Sequence, residues 1–482
     1  MSKLLARYAS LESDVSDVPA SNLEVDSAGA PLDISETAEE TILDAAEVEA
    51  PVIDEAEGEV DELSQAHEAL ENWLDYVGEA RQEGGLTKRE AKGVFIGIGN
   101  TLAPLGVSCE AMIGYGVSSL EDFGGSLAQS NTISVENAIV NALQSVWQAI
   151  KNAINKLVTY VRDWYLKNWD GASRMKRKAE AIRDKANKTN GTAEKKKIPV
   201  PGMTQLHIGK AVPSADQIAS SLETVKAAAS DNFTSRQTAD YKDGLTGLVD
   251  SIEALKAAKN VTVGGTSQSQ APVIAAMDKL KPRSPSGLSG KPVGADNRFS
   301  GLETPGDVNC SVELCGGKAV MAYVPKKTEI TETAANEDKA TLVLKNTSQA
   351  FVDVRDFSDK KVEVDTSKEG DVLKPAQVNS VCQAVIKSMD VIIEFKAAYA
   401  NHEKATKEFI VKMDKVVKSA KAEDESDVEK ARVRLIRTAA TASSHLIKAQ
   451  NRTITSFTGY MMTTSRAALG YCSASLSQYK TA

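Results

Sequence analysis

Apolar residues recur at helical spacing over most of this chain, and three segments carry the pattern furthest. Between 133 and 188, Ile139, Leu143, Val146, Ile150, Ala153, Leu157, Tyr160 and Trp164 advance by steps of four and three. Such a heptad seam predicts one long amphipathic helix packed on a partner. Ser134 is placed to cap it, and Asp170-Gly171 predicts a bend before the basic run that follows. Between 375 and 482, Val385, Ile392, Phe395, Tyr399, His402 and Phe409 share one stripe. Beyond an interruption at 424–427, Leu435, Ala442, Leu446, Thr453, Phe457, Tyr460, Ala467 and Tyr471 form a second. Many of these residues are small, which suits close packing in a helical hairpin or bundle. Residues 63–92 repeat the spacing with Leu63, Leu70, Trp73, Leu74 and Val77, until Gly84-Gly85 breaks it and Thr87 caps the next turn, TKREAK.

The period changes in 308–366. VELCGGKAVMAYV places two apolar runs around Gly316-Gly317, which predicts a β-hairpin, and TLVLKN, AFVDVRDF and KKVEVD read as further strands. Residues 189–305 carry several prolines and Gly/Ser runs such as GGTSQSQ and SPSGLSG; they read as a flexible linker with short helices near 214–229 and 239–258. Residues 1–62 read as disordered, because Pro19, Pro31 and Pro51 punctuate an acidic stretch with few large apolar side chains. Gly97-Ile98-Gly99 and Gly114-Tyr115-Gly116 lack the third glycine of a dinucleotide loop and read as turns. The expected fold is therefore mainly α: long amphipathic helices in a bundle or hairpin, a small β-rich insert over 306–366, and a disordered acidic N-terminal region.

Charge divides this pattern. Residues 8–80 contain 22 Asp or Glu and no Lys or Arg, whereas 151–197 contain 14 Lys or Arg against 5 Asp or Glu. The whole chain is −9; residues 1–121 hold 6 basic and 26 acidic side chains (−20), so the remainder is −9 + 20 = +11. Residues 1–68 hold 2 basic and 19 acidic (−17), so a cut there leaves +8. A single proteolytic cut would reverse the sign of the protein. A basic product gains affinity for nucleic acid through counterion release, without reading sequence. The candidate phosphate contacts are Arg174, Lys176, Arg177, Lys178, Arg183, Lys185, Lys195, Lys196 and Lys197. A rival reading places the Trp-bearing basic helix at a membrane surface, as an ejected, membrane-active protein.

Little else points to chemistry. The four histidines, 67, 207, 402 and 445, are scattered, and HExxH, P-loop and GxSxG patterns are missing. His402 sits on an apolar stripe and reads as a core residue. Cys109, Cys310, Cys315, Cys382 and Cys472 are odd in number and dispersed, as in a reducing compartment. The N-terminus lacks the apolar core of a signal peptide, and no run reaches the length of a membrane span. No catalytic residue, metal site or cofactor is expected.

Several stretches together resemble the internal head (inner-body) proteins of phiKZ-like giant tailed phages. They are EGGLTKREAKGVFIGIGNTLAPLGV, SSLEDFGGSLAQSNTISVENAIVNALQSVWQAIKNAINKLVTYVRDWYLKNWDGASRMKRKAEAIRDKA, ELCGGKAVMAYV, VEVDTSKEGDVLKPAQVNSVCQAVIK and RTITSFTGYMMTTSRAALGYCSASLSQY. The similarity covers most of 63–190 and 308–482. It implies a virion protein made in the host cytoplasm and packed inside the capsid, with other internal head proteins, further copies of itself and DNA as partners. It also implies removal of an N-terminal propeptide by the prohead protease, which cuts after Glu in a small-residue–x–Glu context. Ser119-Leu120-Glu121, before Asp122, fits at a Gly-rich boundary; Ala66-His67-Glu68 is the alternative. Ser10-Leu11-Glu12, Ala45-Ala46-Glu47, Ser221-Leu222-Glu223 and Gly301-Leu302-Glu303 fit the tripeptide too. On this reading the leader 1–62 and the segment 63–121 form the propeptide, and the long helix of 122–188 opens the mature body.

Overall fold

The computed structural model describes residues 36–105, 127–257, 263–292, 307–323, 325, 337–359, 362–419 and 427–479. It is mainly α. Eleven helices run through these residues: α1 (Glu36–Gln82), α2 (Lys88–Leu102), α3 (Leu127–Lys188), α4 (Met203–Leu206), α5 (Ala215–Asn232), α6 (Ser235–Ala257), α7 (Val263–Leu280), α8 (Glu337–Ser348), α9 (Pro375–Glu394), α10 (Lys396–Ser419) and α11 (Asp427–Leu476). Six short strands accompany them: β1 (Lys197–Pro199), β2 (Ser289–Pro292), β3 (Asp307–Cys310), β4 (Lys318–Tyr323), β5 (Phe351–Asp356) and β6 (Glu369–Asp371). Two compact units result. One takes in residues up to Thr41 and Asp61–Ile150; the other takes in Ile42–Val60 and Lys151–Ala482.

In the first unit, α1 ends where Gly84 and Gly85 adopt φ of 111° and 97°. Thr87 then starts α2 with a capping box, its hydroxyl accepting from the Glu90 N–H while the Glu90 carboxylate accepts from the Thr87 N–H. The turn is tied to the start of α3: the Leu86 N–H donates to Thr132 Oγ1 at 2.7 Å, Asn131 Nδ2 donates to the Leu86 carbonyl at 3.2 Å, and Arg81 pairs with Glu136 at 3.0 Å. Gly97 and Gly99 lie inside α2, not in a turn as their spacing suggested. The reason at Gly97 is packing: a Cβ there would stand 2.2 Å from the Trp73 ring. Helix α3 begins seven residues before Ser134, so that serine is internal and caps nothing. The second Gly doublet, 114–116, lies outside the described residues.

In the second unit, α3 continues through Asp170-Gly171 without a break. Its seam residues Leu157 and Trp164 join one core with α5, α9, the start of α10 and the last turns of α11. The Tyr165 hydroxyl donates to the Ile392 carbonyl at 2.6 Å, and Trp169 Nε1 donates to Ile393 O at 3.1 Å. Every stripe residue expected on α11, from Leu435 to Tyr471, is buried. Strands β2-β3-β4-β5 form an antiparallel sheet and β1 pairs β6. A hairpin is present but shifted from the predicted one: its first arm is β3, upstream of VELC, while Ser311–Glu313 carry no strand and Cys315–Gly317 form a 3-10 turn, with Gly316 and Gly317 at positive φ, before β4 pairs with β3.

Further expectations fail. TLVLKN is not a strand but part of α8; Thr341, Leu344 and Thr347 are buried at a spacing of three, and the helix packs on α7 and α11. The described residues of KKVEVD carry no strand. The stretch 189–305 holds the helices expected near 214–229 and 239–258, as α5 and α6, but it is no flexible linker: Ser214 caps α5 in a box with Gln217, and Ile218, Leu222, Val225 and Ala229 are fully buried against the core. Composition misled there, because Gly- and Ser-rich runs flank a helical apolar stripe. The N-terminal boundary moves too, since helix starts at Glu36 and residues 51–60 are packed, not free.

Candidate nucleic-acid interface and cleavage positions

The second half of α3 sorts its charges by helical phase. At 100° per residue, Lys167, Arg174, Lys178, Lys185 and Lys188 fall within about 80° of arc, with Arg177 beside them. Buried Ala172, Met175, Ala179 and Ala186 face the other way, into the core. Lys167, Arg174, Arg177, Lys185 and Lys188 are exposed and Lys178 is half-buried; Asp170 and Asp184 border the stripe on one edge. Lys176 and Arg183 lie on the opposite side and hold α9: Lys176 Nζ is 2.6 Å from Asp390 Oδ1, and Arg183 Nη1 donates to Gln383 Oε1 at 3.4 Å. Those two sequence candidates are thus committed to packing, while Lys167 and Lys188 were missed. The seven-residue steps 167, 174 and 188 (two steps on) were the signal.

Lys195, Lys196 and Lys197 are exposed on the segment leading into β1. Their backbone is fixed by the Val372 N–H donating to Lys196 O at 3.0 Å and by the pairing of Lys197 with Asp371. They are therefore solvent-facing cations on an anchored backbone.

Pockets offer less. A cavity of about 300 Å³ is lined by Trp164, Asn168, Cys315, Tyr460 and Arg466 among others. Its lining holds no carboxylate and no histidine, and burial pushes the Cys315 thiol up to about 11, so it presents neither an acid–base pair nor a thiolate. His402 is 4% exposed, stacks on Tyr241 with centroids 4.2 Å apart, and is held neutral by desolvation, its pKa pushed down to about 4. It is a core residue, as its stripe position suggested.

Ser119, Leu120, Glu121 and Asp122 lie outside the described residues. The alternative falls inside α1, where Ala66 and His67 are 7% and 2% exposed and Glu68 is exposed. Ser221 and Leu222 are likewise buried within α5. Proteases cut chain that is accessible and locally unfolded, so both tripeptides are sheltered.

A family model for phiKZ-like phage internal head proteins matches residues 37–474. The chain belongs to this family. The match takes in 37–62 and 190–300, stretches outside the segments that carry the resemblance, in keeping with the helices found there. No curated protein and no solved structure matches the chain.

As a phage internal head protein it is a structural component of the virion interior. No helix among the described residues is long and apolar enough to cross a membrane. The tryptophans that suggested a membrane-surface face are taken up by packing: Trp147 and Trp164 are buried, and Trp169 is covered by Lys396, whose Nζ lies 3.4 Å from the ring centroid.

Proposed function

We propose that this internal head protein is made as a precursor in the host cytoplasm and matures inside the prohead. The prohead protease cuts after Glu121, and the basic body that remains, with no catalytic role, packs beside the DNA together with further copies and other internal head proteins. The observation that carries this reading is the division of charge: −20 over residues 1–121 and +11 over the rest. Exposed cations in register along α3 support the non-specific phosphate contact. Burial of Ala66 and His67 favours Glu121 over Glu68 as the cut. The body's affinity comes from counterion release, so it needs no base-reading surface.

The test is mapping of the protein's N-terminus by mass spectrometry in infected cells and in purified particles. A chain that starts at Asp122 in particles alone is the expected result. Intact Met1–Ala482 in mature particles overturns the proposal.

A further inference from the structure

Within the second unit, residues 51–60 are seated on the body. They carry Asp54, Glu55, Glu57 and Glu59 and no basic side chain. Ile53 and Ala56 are 4% and 1% exposed and belong to the core that Leu157, Val161 and Phe457 share. Two carboxylates pin the segment to different helices. Glu57 Oε2 is 2.6 Å from Arg452 Nη1 on α11, and Glu59 Oε2 is 3.1 Å from Lys156 Nζ on α3. Lys448, one turn before Arg452, lies close enough to act on the Glu57 charge. The other edge of the Arg452 guanidinium holds the body itself, Nε standing 3.1 Å from the buried Asp353. Asp353 in turn pairs with Arg355 at 2.7 Å, so Arg452 keeps a defined place whether or not the segment is docked.

We propose that residues 51–60 are a masking segment seated on an anion-binding surface formed by Arg452, Lys448 and Lys156, and that its competitor for this surface is the phosphate backbone of duplex DNA. The idea deepens the proposed function, on which its role in maturation rests. Its consequence is that cutting and unmasking are separate steps. A cut after Glu121 leaves the contacts of 51–60 intact; it only turns an intramolecular contact into an intermolecular one, lowering the effective concentration of the segment. Duplex DNA then offers about one negative charge per 1.7 Å to the same cations, and displaces it.

The test uses the uncut chain, so its outcome does not depend on processing in the prohead. Binding of a short duplex is measured by fluorescence anisotropy at low salt for wild type, for E57Q/E59Q, and for E57Q/E59Q combined with K156Q/K448Q/R452Q. The first variant is expected to bind at least tenfold tighter than wild type, and the added cation changes are expected to cancel the gain. A control, E39Q/E40Q, removes the same charge elsewhere in the leader and is expected to give no such gain. Deuterium uptake by residues 51–60 of the wild type is expected to rise when duplex is added. An equal gain from the control, a gain that survives loss of the three cations, no gain, or uptake unchanged in the DNA complex each overturns the proposal.

Discussion

Arg452 and Glu57 stand 2.6 Å apart although 395 positions separate them in the chain, and the two members of this pair are not equivalent. The Glu57 side chain is 4% exposed while that of Arg452 is 43% exposed and has Asp353 as a second partner. Burial pushes the Glu57 carboxyl up and Arg452 pulls it back. Removing Arg452 strands a buried carboxylate; removing Glu57 leaves a cation with another partner and water. R452A is therefore expected to cost about 3 kcal/mol, and E57A about 1 kcal/mol. Urea denaturation of both variants and of the double variant checks this. The double variant should cost less than the sum, and equal single costs would contradict the asymmetry.

Gly97 and Gly93 lie on the same helix yet should answer oppositely to alanine. A Cβ at Gly97 meets the Trp73 ring at 2.2 Å, whereas one at Gly93 meets nothing within 4 Å. G97A is expected to destabilise by about 1–3 kcal/mol through overpacking. G93A is expected to stabilise by up to ~1 kcal/mol, since alanine is the better helix former. Thermal melts of the two variants side by side decide it; a G97A protein as stable as wild type would mean that the Trp73 ring yields without cost.

These elements also mark where sequence reading succeeded. The α3 seam and the α11 stripe were readable because a sustained 3.6-residue period has no strand alternative, and Thr87 with Glu90 is a local capping pattern. TLVLKN was ambiguous because six residues do not distinguish a buried strand from a helix; contact with α7 and α11 decides. Helix α5 was legible near 214–229, but the Gly/Ser-rich composition around it concealed that its face at 218, 222, 225 and 229 is part of the core. The basic block was plain, but its division into a solvent stripe and the α9 clamps of Lys176 and Arg183 needed the partner helix. The docking of 51–60 was beyond the sequence, since charge implied repulsion and disorder while the compensating cations lie on α3 and α11.

His402 gives a pH signature. Its pKa is about 4 in the fold against an ordinary 6.5, because burial penalises the imidazolium. Between those values the unfolded chain takes up a proton that the folded chain refuses, so stability falls as pH drops from 6.5 towards 4 and is flat above 6.5. The loss attributable to this one group is about 3 kcal/mol. H402F, which keeps an aromatic ring beside Tyr241, should flatten that part of the profile. Unfolding free energies at pH 4.5, 5.5 and 7 measure it, and parallel profiles for wild type and variant would rule the assignment out.

The two faces of α3 should separate in function. Replacing Lys167, Arg174, Lys178, Lys185 and Lys188 by Gln removes the solvent stripe without touching the core face of Ala172, Met175 and Ala179. The melting temperature should then stay near the wild-type value, because exposed charges contribute little to stability. Binding of the processed body to duplex DNA should weaken for every sequence alike, and the slope of log K against log salt should shallow by about 0.9 for each phosphate that is no longer neutralised. K176A and R183A should do the reverse. They release α9 from Asp390 and Gln383, lowering stability slightly, and leave the salt slope unchanged. Anisotropy titrations at three salt concentrations, paired with melts, discriminate the two sets. If the stripe variant kept the wild-type slope while K176A/R183A lowered it, the cations facing α9 and not those facing solvent would be the ones that meet DNA.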